Sequence, residues 1–387
     1  MTGMLAKSAE GSPALPLAPR GEPLPIAFYA PMKAPDHAVP SGDREIARHL
    51  FAALAAAGAC PALASSLRVL DLSGDADAQA RLSKAAEAEV ARIISAGAGG
   101  ARLWVTYHCH YKAPDLVGPA VAHALGLPYA IVEPSISPKR REGPWARFAA
   151  ASEGAIMAAD RLFWTTRRDR PALEAAGLGP RLVHLPPAVK AGAEPPRLGE
   201  ASGQPLRLLT VAMMRGGDKA ESYRRLARAL RRLPGPWRLE IIGDGPVRTE
   251  IEALFAPFSG PLQGAAGLGD VAVRFLGARE PAEIRAAMEE ADLLLWPGVG
   301  EGIGMVWLEA GAAGLPVVAE DGPAARDVVA GGLLAAPGDA SAFADAIAEA
   351  AAARPDLSRK ARVSAIDRHS SDAMSKTLGE SLAALLP

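Results

Sequence analysis

The chain predicts an α/β protein made of two doubly wound domains, each a parallel sheet with helices on both faces. Strand and helix patterns alternate from one end of its 387 residues to the other, as parallel sheets require. The alternation breaks once, at PPAVKAGAEPPRLGEASGQP (residues 186–205), and starts afresh behind it. A chain of this length also exceeds one typical hydrophobic core, so two domains are the default.

The first strand is expected at Pro25–Tyr29. Residues 1–24 before it are interrupted by Pro, Gly and Ser, lack an apolar run of signal-peptide length, and read as a disordered tail. A Pro-rich loop and a helix, Arg44–Ala57, follow. Ile46, Ala47, Leu50, Phe51 and Leu54 give that helix an apolar stripe at helical spacing. Further strands are expected at Leu67–Leu72, Arg102–Tyr107, Tyr129–Glu133, Arg161–Thr165 and Arg181–Leu185. Helices fall between most of them, among them Asp115–Leu125 and Pro171–Ala176. Behind the linker the pattern gives the strand Leu206–Ala212, the helix Lys219–Arg232 and the strand Trp237–Ile242. Gly243-Asp244-Gly245-Pro246 then opens another helix, with proline near its N-terminus. Later strands are expected at Val271–Leu276, Ala291–Trp296, Pro316–Ala319 and Gly332–Ala335.

Composition removes several classes. With 49% hydrophobic and 22% charged residues the chain reads as an ordinary globular protein. A formal net charge of −1 excludes a general nucleic-acid binder. Two cysteines, Cys60 and Cys109, cannot make a disulfide framework, which points to a reducing cytoplasm. The apolar run Ala52–Leu67 is broken by Gly58 and Pro61, so no stretch reaches the length of a membrane span. Ser137–Arg147 carries Lys139, Arg140, Arg141 and Arg147 beside Trp145 and Phe148. Two readings of it stay open: peripheral contact with anionic lipid, or a solvated basic loop.

The chemistry concentrates in ADLLLWPGVGEGIGMVWLEAGAAGLPVVAED, which holds Glu301 and Glu309. Glu301 falls in the loop above a strand's carboxyl end, where open α/β sheets bind ligands. Glu309 falls in the following helix, about a turn and a half from its start. Surrounded in sequence by Met, Val, Trp, Leu and Ala, it reads as a buried carboxylate that needs a polar partner. GVGEGIG also fits a loose dinucleotide-binding pattern, with Glu320 and Asp321 ending the next strand, so a nicotinamide-dependent dehydrogenase is a rival. Against that rival, Glu301 would aim a negative charge among amides meant for pyrophosphate, and the loop lies late in its domain.

These residues resemble a family. Glu301 and Glu309 within EGIGMVWLEAGAAGLPVVAED look like the paired-glutamate signature of the retaining glycosyltransferases of group 1 (family four). Gly243-Asp244-Gly245-Pro246, Arg274-Phe275-Leu276-Gly277 and the stretch from Gly331 to Ile347 agree with it. The resemblance implies a GT-B architecture: two Rossmann-like domains facing across a cleft, with a nucleotide-diphosphate sugar held mainly by the second. The division expected is a tail (1–24), an acceptor domain (25–186), a linker (187–205), a nucleotide-sugar domain (206–365) and a C-terminal helix (366–387) returning to the first domain.

Residue by residue, the resemblance gives Glu309 the ribose hydroxyls and Glu301 the donor sugar. The amides of Gly304, Met305 and Val306 would open a helix toward the diphosphate, which the helix dipole favours. Arg215 and Lys219, in VAMMRGGDKAES, would neutralise charge on the departing diphosphate, although the family often spaces this pair more widely. Gly216 and Gly217 would let the backbone approach a ligand.

In the first domain Gly42 would lie against the donor phosphate, while Ser41 or Asp43 reads equally well as an N-cap. In WVTYHCHYKAPD, His108 and His110 share one face of a strand and Cys109 the other, which does not make a zinc site. The family's first-domain histidine is best matched by His108, with His110 second and a satisfied core histidine as the alternative. Glu133, in IVEPSIS, would bind an acceptor hydroxyl or else pair with Arg140 or Arg141.

The function expected is transfer of a sugar from a nucleotide-diphosphate sugar to a glycan or lipid-linked acceptor hydroxyl. No metal and no cofactor beyond that donor are expected. A sugar-nucleotide epimerase or phosphorylase of the same fold, the dehydrogenase, and a catalytically silent binding module remain as alternatives.

Overall fold

The computed structural model describes residues 17, 22–39, 41–189, 205–258 and 271–386. Most of the expected tail and linker lies outside these residues. Leu17 is an exception to the tail reading: it is buried, and its N–H donates to the Ala57 carbonyl at 2.9 Å. The chain divides into two compact units. The first comprises Met1–Phe163, Ala172–Leu185 and Met374–Pro387; the second comprises Trp164–Pro171 and Pro186–Ala373.

The first unit holds a six-stranded sheet in the order β2-β1-β3-β4-β5-β6. Its strands are β1 (Leu24–Tyr29), β2 (Ala59–Ser65), β3 (Leu103–Cys109), β4 (Tyr129–Pro134), β5 (Arg161–Trp164) and β6 (Leu182–His184). The ladder from β2 to β5 is parallel throughout. Its helices are α1 (Gly42–Ala56), α2 (Ala76–Ser95), α3 (Gly118–Leu125), α4 (Ala146–Ala158) and α5 (Arg170–Ala175), and the chain ends on α13 (Ser371–Ala383).

Two elements correct the sequence reading. The expected strand at Leu67–Leu72 is not in the sheet; β2 lies earlier, in ACPALAS. The sequence reading places no strand there, where Pro61 interrupts the apolar run. A proline has no N–H for a ladder, but β2 is an edge strand, where it is tolerated. Residues 67–72 instead run past the strand ends, with Val69 N–H on the Pro31 carbonyl (2.8 Å) and Asp71 N–H on that of Lys112 (2.9 Å). The helix expected from Asp115 begins at Gly118, because Asp115 turns its carboxylate inward and takes the Val117 and Gly118 amides on one oxygen (2.9 and 2.7 Å).

The second unit repeats the architecture in the order β12-β11-β10-β7-β8-β9, with every neighbouring pair parallel. Its strands are β7 (Leu206–Val211), β8 (Trp237–Ile242), β9 (Val271–Gly277), β10 (Leu293–Leu295), β11 (Val317–Glu320) and β12 (Gly332–Ala335). Its helices are α6 (Asp218–Leu230), α7 (Arg248–Phe255), α8 (Pro281–Glu290), α9 (Met305–Ala312), α10 (Pro323–Val328), α11 (Ala340–Ala352) and α12 (Arg354–His369). Helix α6 shows why these segments are helical. It buries Tyr223, Leu226 and Leu230 at helical spacing, each burial contributing about 1.5–3 kcal/mol, while its arginines face outward. Residues 164–171, inside the expected first domain, group with this unit; Arg167 pairs with Asp327 at 2.8 Å and donates its N–H to the same carboxylate.

The strand orders fix where sites can form. Each chain half starts at a central strand, winds to one edge, and returns to wind to the other. The switch points fall between β1 and β3 and between β7 and β10. Ligands of open α/β sheets bind beyond the carboxyl ends of strands at such points. Glu301, Arg215 and Lys219 follow one of these strand pairs; Gly42, His108 and His110 follow the other.

Candidate active site

In the second unit, the loop after β7 reaches α6 through Gly217, and the loop after β10 runs from Trp296 to Gly304. The two are fastened together. Val299 N–H donates to Ser222 Oγ at 3.0 Å, and Lys219 Nζ forms an ion pair with Glu301 Oε1. Trp296 Nε1 donates to the same carboxylate oxygen at 2.8 Å. The Lys219 ammonium also stands 5.2 Å from the Trp296 ring centroid, within cation–π range. Trp296 is itself fully buried, edge-on to Tyr223 at 5.1 Å. Glu301 is therefore fixed by two donors on one oxygen, and its side chain keeps 15% of its surface exposed.

The loop's glycines are demanded by Trp307. Gly298 and Gly304 both have left-handed backbones (φ 77° and 73°), and a Cβ on either would come within 2.2 Å of the Trp307 ring. The indole thus shapes the loop that carries Glu301. Gly304 also N-caps α9 without any side-chain hydrogen bond, so the first-turn amides, including those of Met305 and Val306, are not capped by a side chain. Arg215 is exposed in the facing loop and has no ion pair among the described residues. That loop is held from below, where Met214 N–H donates to the Asp244 carbonyl (2.9 Å) and Val247 N–H to that of Met214 (3.2 Å).

Glu309 corrects an expectation. It lies in α9, but on its solvent face, whereas Trp307, Leu308 and Ala310 are buried. Even so, its carboxyl is held above the usual range, chiefly by the surrounding protein, with Arg285 opposing. The two facts are compatible. Water reaches the carboxylate, while nearby protein weakens its solvation.

A cavity of about 350 Å³ adjoins the loop, lined by Gly298 to Gly302 and by Glu320 to Ala325, with Arg168, Arg225 and Trp307. Its acids are engaged. Glu320 pairs with Arg225 at 2.5 Å and accepts the Gly338 N–H at 3.0 Å, and Asp321 pairs with Arg326 at 2.6 Å. These are the two residues the dinucleotide reading needs free for a ribose.

In the first unit, His108 and Glu133 sit at the ends of adjacent strands β3 and β4, and both have left-handed backbones (φ 68° and 59°). Such conformations cost non-glycine residues about 1–3 kcal/mol each and cluster at functional sites. His108 Nδ1 lies 4.0 Å from Asp43 Oδ1, on the first turn of α1. Ser41 is the cap of that helix, accepting the Arg44 N–H at 3.3 Å. Gly42 is exposed beside it, and a Cβ there would meet nothing within 4 Å, so packing does not require the glycine. Burial and then the Glu133 and Asp43 carboxylates hold the Tyr107 phenol well above its usual range. Asp43, Tyr107, His108 and Glu133 thus share one electrostatic neighbourhood. Among the described residues no three His, Cys, Asp or Glu side chains gather closely enough to hold a metal ion.

Comparison with known proteins fits this geometry. Residues 205–352 match the family model described as glycosyl transferases group 1. The second half of the chain is thus similar to the group 1 glycosyl transferases. The 2-deoxystreptamine glucosyltransferase of Streptomyces kanamyceticus is 31% identical over 253 residues, covering 59% of this chain and 62% of that protein. The chain spans less than two thirds of the length of the curated relatives it matches. The sucrose-phosphate synthase structure from Thermosynechococcus elongatus superposes with a TM-score of 0.68 at 18% identity, covering 94% of this chain and 99% of that one. An Anabaena protein solved with UDP and glucose gives 0.63 at 17% identity, covering 93% and 100%. At those identities the likeness concerns the fold, which is GT-B.

Several participants in this arrangement carry no sequence signal. Trp296 and Trp307 read as core residues, and the Lys219–Glu301 pair spans 82 positions. Beneath the first-unit site, the buried Asp115 accepts Thr106 Oγ1 (2.6 Å) and the Tyr129 hydroxyl (2.7 Å) on its other oxygen. Trp104 Nε1 extends the network to Thr106 at 2.9 Å.

His110 adds a pH dependence. Burial, then the neighbouring His108 and Lys112, push its pKa down to about 3, and its Nδ1 accepts the Lys112 N–H at 3.0 Å. The unfolded chain binds this proton below about pH 6.5 and the folded chain does not. Its contribution is therefore complete above pH 6.5 and lost as pH falls toward 3. At pH 5 the loss is about 2 kcal/mol. Denaturant unfolding of wild type and His110→Gln at pH 7.5 and 5.0 measures it: the variant should lose about 2 kcal/mol less between the two pH values. Equal losses would mean that His110 titrates normally in the fold.

Proposed function

We propose that the protein is a retaining glycosyltransferase that moves a hexosyl group from a nucleoside-diphosphate sugar to an acceptor hydroxyl. The observation that carries this reading is the constellation around the β7/β10 switch point. There Lys219, Glu301 and Trp296 interlock, α9 begins without a side-chain cap, and Arg215 stands without an ion pair among the described residues. A diphosphate offers the matching charge. It would be received by the amides of Gly304, Met305 and Val306 and by Arg215 and Lys219, and these groups would stabilise the charge that develops as it departs. Glu309 would accept hydrogen bonds from the ribose hydroxyls, which suits a carboxylate open to solvent. Glu301 would hold the hydroxyls of the transferred sugar, with the adjoining cavity large enough for a monosaccharide.

In the first unit, His108 and Glu133 are proposed to position the acceptor, with His110 behind them and Gly42 near the donor phosphate. The acceptor hydroxyl would attack the anomeric carbon from the face the diphosphate leaves and pass its proton to the departing diphosphate. The configuration is then retained without a covalent enzyme intermediate. Protein cations supply the charge compensation in this scheme, so activity should survive a chelator. The donor would need no further cofactor, and UDP-sugars come first because a structural neighbour was solved with UDP. The reaction is assigned to the cytoplasm. No helix among the described residues is long and apolar enough to cross a membrane, so a lipid-linked acceptor would be met from the membrane surface.

Calorimetry with UDP, GDP, ADP and NAD tests the donor class. One nucleoside diphosphate should bind and NAD should not. Binding of NAD with no response to any nucleoside diphosphate would replace this reading with the dehydrogenase one.

A further inference from the structure

The rings of Tyr107, His108, His110, Tyr111 and Trp145 form an unbroken series leading away from the end of β3. Successive centroids are 5.6, 4.6, 5.8 and 5.8 Å apart. Two cations stand at its outer end. The Lys112 ammonium is 5.7 Å from the Tyr111 centroid and 6.0 Å from that of Trp145; for the Arg140 guanidinium the distances are 5.2 and 4.9 Å. Both cations thus share the same two rings. Neither has a carboxylate partner among the described residues, whereas the neighbouring Arg141 is paired with Glu153 at 3.0 Å.

This arrangement is built rather than incidental. The buried Asp71 donates its N–H to the Lys112 carbonyl at 2.9 Å, and its carboxylate accepts Gln79 Nε2 at 2.7 Å. The same Gln79 nitrogen donates to the carbonyl of Pro144, next to Trp145, at 3.0 Å. One buried pair therefore holds both the Lys112 turn and the Trp145 turn. Gathering two like charges over the same rings is unfavourable unless the ring faces and a shared anion compensate it. The rings and the cations also ask for different parts of one ligand. Aromatic faces take the apolar C–H face of a pyranose, and a guanidinium takes a carboxylate or phosphate in a fork of two hydrogen bonds.

We propose that this surface is a subsite for an acidic saccharide, stacked on Tyr111 and Trp145 with its carboxylate or phosphate on Lys112 and Arg140. The inference rests on the glycosyltransferase reading, which makes the His108 end of the series the place where an acceptor reacts. The acceptor is then a sugar bearing an anionic group close to the hydroxyl that is glycosylated.

The test uses the full-length chain and two matched probes, p-nitrophenyl β-D-glucuronide and p-nitrophenyl β-D-glucoside, titrated by tryptophan fluorescence. The glucuronide should bind about tenfold more tightly than the glucoside. Arg140→Gln and Lys112→Gln should each remove most of that preference without weakening the glucoside, and Tyr111→Leu should weaken both probes. UDP affinity and melting temperature should not change in the two charge variants, which separates lost recognition from misfolding. Equal affinity for the two probes in wild type, or an unchanged preference in both charge variants, overturns the subsite. Sedimentation with phosphatidylglycerol but not phosphatidylcholine vesicles, lost in Arg140→Gln and accompanied by no saccharide preference, also overturns it, by assigning the cations to a lipid surface. Absence of nucleoside-diphosphate binding by wild type is a separate failure, that of the transferase reading itself.

Discussion

Replacing Glu301 by Gln, or Lys219 by Ala, is expected to lower kcat about 10²–10³-fold. The reason lies in how the two side chains are held. Lys219 is ion-paired to the oxygen of Glu301 that also takes the Trp296 N–H. Each residue therefore sets the position and charge of the other. Removing the lysine takes away a cation for the leaving group and leaves a half-buried carboxylate with only an indole N–H on that oxygen. Removing the glutamate's charge frees the ammonium to swing out of place. Because both changes break one unit, their effects should not multiply. The double variant Lys219→Ala/Glu301→Gln should turn over within about tenfold of the worse single variant. Steady-state kinetics of the three variants decides this, and a double variant showing the full product of the single effects would mean that the two side chains act independently.

Glu309→Ala is expected to weaken nucleoside-diphosphate binding about a hundredfold, corresponding to about 3 kcal/mol for two hydroxyls donating to a carboxylate. Its position on the solvent face of α9 makes this a clean test. The carboxylate makes no hydrogen bond or ion pair among the described residues and alanine favours helix, so the melting temperature should hold or rise. The ribose assignment also predicts a cycle. In wild type, a 2′,3′-dideoxynucleoside diphosphate should bind about as weakly as the parent nucleotide binds to Glu309→Ala. In the variant, parent and dideoxy nucleotide should bind alike. Calorimetry on the four combinations measures it. A dideoxy penalty of unchanged size in Glu309→Ala would assign the ribose to another residue.

Both sheets are legible in the sequence because their central strands are short apolar runs separated by helical periodicity, and burial on both faces leaves little ambiguity. What escapes is the edge. In β2 the proline that marks a loop elsewhere is harmless, and the more apolar Leu67–Leu72 attracts the assignment instead. The site is legible where the backbone itself carries the signal. Glycines at 298 and 304 announce a loop that needs left-handed residues, and their place after a strand announces a ligand-facing end. It is not legible where long-range side chains complete it. Nothing local says that Lys219 reaches Glu301, that Trp307 fills the space under both glycines, or that Asp43 comes near His108. Glu309 shows the opposite failure: its apolar neighbours suggest burial, but the helix turns it alone toward water. Asp115, read as a helix start, is drawn inward by Thr106 and Tyr129, partners set 9 and 14 residues away in the sequence.

A donor screen that detects released nucleoside diphosphate addresses the transfer reaction most directly. UDP-, GDP- and ADP-sugars would be offered with a panel of neutral and acidic saccharide acceptors, and the anomeric configuration of any product read by NMR. Release of one nucleoside diphosphate that depends on acceptor, persists in chelator and yields a product of the donor's own configuration is the expected result. A product of inverted configuration, or no acceptor-dependent release from any donor despite tight nucleotide binding, would contradict retaining transfer by this site.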